Sequence, residues 1–218
     1  MSVADGCGRG EGRRERRRGA MIAAARALFL ERGFDAVTLG EIVRRSGGSL
    51  STFYELFENK AGVLGAIVAG ERFDGQERLG AIVARRGTAA ETLRAIAASI
   101  HEDLTGPEVV GIMRIVMAES LRNAAFARSI YENAHVPRIA WLTDLFAGWA
   151  AEGHARIANP VLAAEFFLGL ILHAAQMRAL FCEPAVPQTA EWHECMAEAV
   201  NLFVAGYAIT GEAGRSGA

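Results

Sequence analysis

Between Thr38 and Phe57, apolar and polar positions fall into two short helical blocks separated by a break. Leu39, Ile42 and Val43 recur at i, i+3 and i+4, the spacing of a single helix face. Thr38 followed three residues later by Glu41 is a capping box. The hydroxyl can accept the Glu41 amide while the carboxylate reaches back to the Thr38 amide, which predicts a helix starting at Leu39. Ser46-Gly47-Gly48 interrupts the pattern, and Ser49 can cap a second helix over Leu50–Phe57 whose Phe53, Leu56 and Phe57 supply apolar surface. Two short helices across a glycine turn make a helix-turn-helix candidate over residues 38–57.

The same spacing organises the flanks. Ile22, Ala25, Leu28 and Phe29 share one face of a helix that should end near Arg32, with Gly33 as a left-handed cap and Phe34 as the hydrophobic contact that follows. Asn59 can cap a further helix whose Leu64, Ile67 and Val68 continue toward Leu79 and Val83. From Thr88 onward the pattern predicts longer helices over Ala89–Leu104, Pro107–Glu119, Ala124–Gly153 with an interruption at Pro137, Pro160–Leu180 and Gln188–Thr210. There is no alternating strand pattern. The expected class is all-α: a mobile tail over 1–13, a three-helix DNA-binding domain over 14–60, a linking helix over 61–87, a larger helical domain over 88–211 and a tail over 212–218.

Composition narrows the function. Hydrophobic residues make up 51% of the 218, enough for a packed core and too many for a disordered chain. The longest uncharged apolar run, Phe166–Met177, is shorter than a membrane helix needs, and the arginine-rich start has no hydrophobic stretch after it, so a cytoplasmic protein without a membrane partner is expected. The net charge of −2 hides an asymmetry: residues 1–60 carry 11 Lys+Arg against 8 Asp+Glu, and the remainder 12 against 17. Arg13, Arg14, Arg16, Arg17 and Arg18 form a basic cluster that reads equally as an arm tracking phosphates or as a solvated tail. Cys7, Cys182 and Cys195 have no metal-ligand spacing and are expected as small, partly buried side chains rather than a redox pair.

The chemistry of the second short helix fits a nucleic acid. Leu50, Ser51 and Thr52 occupy the first turn, where a recognition helix presents side chains to base edges. Their hydroxyls can bond bases, and Leu50 can pack on a thymine methyl. Helix amides near Ser49 suit a phosphate oxygen. Thr38, Arg44 and Arg45 complete the candidate DNA-binding set on the preceding helix. Against an enzyme, Glu191, Glu194 and Glu198 share a stripe but His193 and Cys195 point elsewhere, so no compact metal set forms and no cofactor is expected.

Ile22-x-x-Ala25, Leu28-Phe29, Gly33-Phe34, Val37-Thr38, Tyr54, Phe57, Lys60 and Leu64 together resemble the TetR/AcrR family of bacterial transcriptional regulators over the first quarter of the chain. The phrase SGGSLSTFYELFENK is most similar to the AefR-like subgroup. The resemblance implies that Tyr54 and Lys60 hold operator phosphates and that Leu50 to Thr52 face the major groove. Gly48 stands where that family usually has valine, Val43 where it has alanine and Phe53 where it has leucine. The larger Val43 and Phe53 are expected to fill the space left at Gly48.

A weaker resemblance, carried by Ala118-Glu119, Tyr131-Glu132 and Phe166 to Leu170, extends to the carboxyl-terminal part. It implies that the last two helices pair with their copies in a homodimer, for which Gly169, Ala174, Val200, Phe203, Val204 and Tyr207 are candidates. Met113, Met117, Trp141, Leu145, Phe167, His173, Gln176 and Met177 are candidates for a mostly apolar small-molecule site, each also serviceable as ordinary core. The function expected is a ligand-responsive repressor, released from a double-stranded operator by an unidentified small effector. The alternative is an interaction protein whose helix-turn-helix packs on a protein partner, which a lack of salt dependence would reveal.

Overall fold

The computed structural model describes residues 7–85, 87–181 and 190–210, and among them every regular element is helical. In chain order these are α1 (Cys7–Arg32), α2 (Leu39–Ser46), α3 (Leu50–Phe57), α4 (Lys60–Val83), α5 (Ala89–Thr105), α6 (Pro107–Arg122), α7 (Ala124–Ile130), a π-helical turn (Tyr131–His135), α8 (Val136–Ala151), α9 (Pro160–Leu180) and α10 (Ala190–Gly206). They form two compact units. The first takes the chain up to Glu71 together with Ile115–Ile130, and the second takes Arg72–Arg114 and the chain from Tyr131 onward. The division differs from the sequence expectation in two ways. It falls inside α4 rather than at its ends, and it assigns the end of α6 and all of α7 to the unit of the helix-turn-helix.

In the first unit α1 ends as its sequence demands. Gly33 takes φ 81°, its amide donates to the Phe29 carbonyl at 2.9 Å, and the Phe34 ring sits 5.1 Å from that of Phe29. Its beginning differs from expectation. The helix starts at Cys7, so Arg13 to Arg18 are helical and not a tail, in keeping with the good helix propensity of arginine and the absence of proline. Met21, Ala25, Leu28 and Phe29 of α1 are buried, as are Ile42 of α2, Phe53 of α3, Leu64 of α4 and Phe126 of α7.

The second unit starts with another Thr-x-x-Glu capping box, Thr88 with Glu91, at the head of α5. Its core joins Leu93, Ile96 and Ile100 of α5, Leu142, Phe146 and Trp149 of α8, Phe167 and Ile171 of α9, and Val200 and Phe203 of α10. The expected interruption at Pro137 is a π-helical turn immediately before α8. Proline has no amide to continue the α pattern, and one wider turn absorbs the mismatch. Asn159 caps α9, its side chain accepting the Leu162 amide at 3.1 Å. Over Pro160–Arg178, α9 has a mean hydropathy of 1.5 and is long and apolar enough to cross a membrane, with 39% of that window buried inside the protein.

Candidate nucleic-acid interface

The two short helices are held by the caps their sequence calls for. Thr38 Oγ1 accepts the Glu41 amide at 3.3 Å while Glu41 Oε2 accepts the Thr38 amide at 2.8 Å. Arg32 adds a hydrogen bond to the same carboxylate. These donors hold the Glu41 carboxyl far below its ordinary 4.5, at about 2, the Thr38 amide being the largest cause, then the Arg32 and Thr38 side chains. Gly47 closes α2 at φ 69°, a left-handed conformation that favours glycine. Gly48 is glycine for a different reason. A Cβ there would lie 2.3 Å from Met21 Cε. The space left by the missing side chain is therefore filled by Met21 of α1, and the expectation that Val43 and Phe53 fill it is corrected. A flexible methionine from a neighbouring helix reaches into the turn.

α3 faces two ways. Phe53 and Phe57 are buried with ring centroids 5.3 Å apart, while Leu50 and Tyr54 are 47% and 54% exposed on the other side. Ser49 Oγ accepts the Thr52 amide at 3.2 Å and lies 2.9 Å from both Ser51 Oγ and Thr52 Oγ1. The result is a first turn of one apolar side chain and a hydroxyl cluster with spare lone pairs, followed by an exposed phenol. Such a surface can donate to and accept from base edges or phosphates.

The junction behind α3 is tight. Glu58 takes φ 61° and the Asn59 amide donates to the Phe57 carbonyl at 2.6 Å, a γ-turn that strains a non-glycine residue. A Cβ on Gly62 would sit 1.9 Å from the Phe57 carbonyl oxygen, so the first turn of α4 packs directly against the backbone end of α3. Spacing alone gave no sign of this; an N-K-x-G run after a short helix was the available signal.

The cationic candidates differ in their engagement. Arg44 is exposed, whereas Arg45 donates two bonds of 2.7 Å to Glu31 of α1, which raises its own pKa and lowers that of Glu31. Lys60 Nζ donates to the carbonyls of Phe34 at 2.7 Å, Val37 at 3.0 Å and Asp35 at 3.5 Å, and sits 4.5 Å over the Phe34 ring. The expected phosphate contact thus also clamps the α1–α2 loop. Arg122, at the end of α6, grips that loop as well through Asp35 at 3.0 and 3.3 Å, a pair that sequence reading did not find.

The effector and dimer candidates are scattered. Trp141 and Leu145 are half-buried against the core of the second unit, and Met113 is half-buried in the same unit. Met117 belongs to the first unit, and Phe167 lies fully buried at the core's centre, 5.9 Å from Phe146 and 5.2 Å from Phe203. Gln176 and Met177 are half-buried, and His173 is exposed, which corrects its assignment to an interior site. Val200 and Phe203, expected on a dimer face, are only 2% and 3% exposed and belong to the core. Val204 and Tyr207 are half-buried against it. Gly169 and Ala174 are exposed beside Leu162, Phe166 and Leu170. Cys195 is also exposed, contrary to the expected partial burial, while Cys7, Cys182, Glu191 and His193 lie outside the described side chains. Two polar groups were missed: His101, buried on α5, and Thr143, whose hydroxyl is buried with no hydrogen-bond partner among the described residues.

Two family profiles match successive parts of the chain. The family profile for bacterial regulatory proteins of the tetR family matches residues 21–67, and that for the AefR-like transcriptional repressor C-terminal domain matches residues 91–209. An uncharacterized HTH-type transcriptional regulator of Bacillus subtilis, YdeS, is 45% identical over 56 residues, which span 26% of this chain and 28% of that protein. A crystal structure described as a TetR-family transcriptional regulator from Mesorhizobium loti superposes with a TM-score of 0.80 at 23% identity, covering 89% of this chain and 98% of the other. The fatty acid degradation regulator FadR of Bacillus halodurans superposes at 0.70 with 16% identity over 86% and 98% of the two chains. At these identities the structural likeness speaks to the fold alone.

Proposed function

The chain belongs to the TetR family of bacterial regulatory proteins, a family of DNA-binding transcriptional regulators, and we propose that it is a homodimeric repressor released from a near-palindromic operator by a small apolar effector. The observation that carries the reading is the first turn of α3. Leu50, Ser51 and Tyr54 are exposed, Thr52 is half-buried, and all four stand on a helix whose other side is fixed by Phe53, Phe57 and the Ser49 cap. Leu50, Ser51 and Thr52 read base edges, and Tyr54 and Arg44 hold phosphates, with Lys60, whose three donors are taken by the Phe34, Asp35 and Val37 carbonyls, contributing its charge.

Dimerisation uses the exposed apolar side of α9, on which Leu162, Phe166, Gly169, Leu170 and Ala174 recur at helical spacing, with Leu202 exposed on α10. Two copies of α3 then enter successive major grooves about 34 Å apart. The effector binds the second unit, where Trp141 and Leu145, one turn apart on α8, supply apolar wall. It releases DNA only if it prefers the conformation in which the readers are misplaced.

The test is a gel-shift titration of the DNA upstream of the chain's own gene across a salt series, with sedimentation of the same samples. The expected result is a dimer whose log affinity falls linearly with log salt. Retention that ignores salt, or full affinity from a monomer, sinks the corresponding half of the reading.

A further inference from the structure

The outward side of α3 carries a negative charge that neither the phosphate contacts nor the hydroxyl cluster accounts for. At about 100° per residue, the buried Phe53 and Phe57 fix the direction in which α3 meets its core, and Glu55 stands about 180° from the mean of the two. No other residue of α3 lies so directly opposite the core contact. Glu55 follows Ser51 at i+4 and Thr52 at i+3, so it continues their stripe one turn further along the helix. Tyr54 is turned toward the edge of that stripe. Glu55 is exposed, and among the described residues no hydrogen bond or ion pair engages its carboxylate.

A carboxylate in the middle of a DNA-facing side has the wrong charge for the backbone. It repels phosphates, and on an arbitrary duplex it can only weaken binding. Its hydrogen-bonding capacity is also narrow. The hydroxyls of Ser51 and Thr52 donate or accept and so tolerate several base edges, whereas an ionised carboxylate only accepts. In the major groove, guanine presents acceptors, thymine an acceptor and a methyl, and adenine sets an N7 acceptor beside its amino group. Cytosine presents an amino donor with no acceptor on its own edge. The base that offsets the repulsion at Glu55 is therefore cytosine.

We propose that Glu55 is a specificity-determining residue whose carboxylate accepts a hydrogen bond from the N4 amino group of one cytosine in each half-site. The same charge lowers affinity for sequences that present an acceptor there, so Glu55 discriminates by repulsion as well as by attraction. The inference deepens the DNA-binding reading under Proposed function and rests on it.

The test titrates the wild-type chain, E55A, E55Q and E58Q on the chain's own upstream DNA, on duplexes in which each base pair of the footprinted half-site is exchanged in turn, and on a random-sequence duplex. Alanine and glutamine are good helix formers, and thermal unfolding checks that α3 is kept. Glu58, exposed just past the end of α3, serves as the control for charge alone. The expected wild-type result is a loss of about fivefold to tenfold when one particular cytosine is exchanged, the lower end of what a base contact discriminates. E55A should lose that preference and no other. E55Q should accept adenine at the same position, because an amide can donate to N7 and accept from N6. Both should bind the random duplex more tightly than wild type, and E58Q should keep the cytosine preference. An E55A profile that matches wild type at every position overturns the proposal: affinity raised throughout leaves only repulsion, and affinity lowered throughout leaves only a structural role. A lost preference for any base but cytosine overturns it as well, as does an E58Q that loses the same preference as E55A. Absence of salt-dependent binding by the wild-type chain is a distinct outcome, because it defeats the DNA-binding reading and this proposal with it.

Discussion

α3 and α9 each turn one side to a core and the other to solvent, yet different physics orients them. α3 is eight residues long and is positioned by backbone devices: the Ser49 cap, the Gly47 and Glu58 positive-φ residues, and the close approach of Gly62 to the Phe57 carbonyl. α9 is 21 residues long, apolar around most of its circumference, and is oriented by which of its side chains find partners in the core. A reader must present particular atoms at particular places, which a sliding apolar contact cannot guarantee. A core helix needs only to be filled.

The largest expected effect probes the α9 side. Phe167→Ala should destabilise the protein by about 3–5 kcal/mol, because Phe167 is fully buried among Phe146 and Phe203. Its neighbour Phe166 is 53% exposed, so Phe166→Ala should leave the urea midpoint of the dilute protein nearly unchanged and weaken self-association in sedimentation. If the two substitutions cost the same stability, the two sides of α9 are not distinct.

Next comes a pair of glycines three residues apart in α4. Gly62→Ala forces a Cβ onto the Phe57 carbonyl oxygen and should cost about 3 kcal/mol, with weaker DNA affinity because α3 is displaced. Gly65 has nothing within 4 Å of a Cβ, so Gly65→Ala should stabilise by about 0.5–1 kcal/mol through helix propensity. Equal effects in urea unfolding would mean that the α3–α4 junction is looser than its geometry.

Lys60→Met comes third. Were phosphate its whole task, the substitution would leave the free protein's stability alone. Its bonds to the Phe34, Asp35 and Val37 carbonyls instead predict a loss of about 1–2 kcal/mol without DNA present. Thermal unfolding of the DNA-free protein decides between the two.

The contrast also explains what could be read from the chain. Caps are local, so Thr38 with Glu41, Ser49 and Gly33 announced the helices they bound, and Pro160 and Leu180 bounded α9 at both ends. Facing is not local. With apolar residues around α9, periodicity could not say that Phe167 points in and His173 out, nor that Val200 and Phe203 of α10 were already taken by the core. Contacts between distant segments were equally hidden. Met21 in the Gly48 space, Arg122 on Asp35 and the extra turns of α1 all depend on partners far away in sequence or on the lack of a stop signal.

The smallest expected effect compares the two capping boxes through their pH dependence. Both Glu41 and Glu91 are held below their ordinary 4.5, Glu41 at about 2. For a depressed carboxyl the unfolded chain takes up protons first as pH falls. The stabilisation is therefore complete above about pH 4.5 and is lost on the way down to about 2. Glu41 receives hydrogen bonds from both Thr38 and Arg32, whereas the hydrogen bonds lowering Glu91 come from Thr88, with Arg94 acting only through charge. Glu41→Gln keeps a side chain that can serve the box but removes the charge facing Arg32. The difference in urea midpoint between wild type and Glu41→Gln should be constant near neutrality and close between pH 4.5 and 2. The corresponding difference for Glu91→Gln should be smaller at neutral pH and should close over a narrower range. Glu31, also lowered, is present in all three proteins and cancels. Matching curves for the two variants would show that Arg32 adds nothing to the first box, and the reader would then be capped no more firmly than α5.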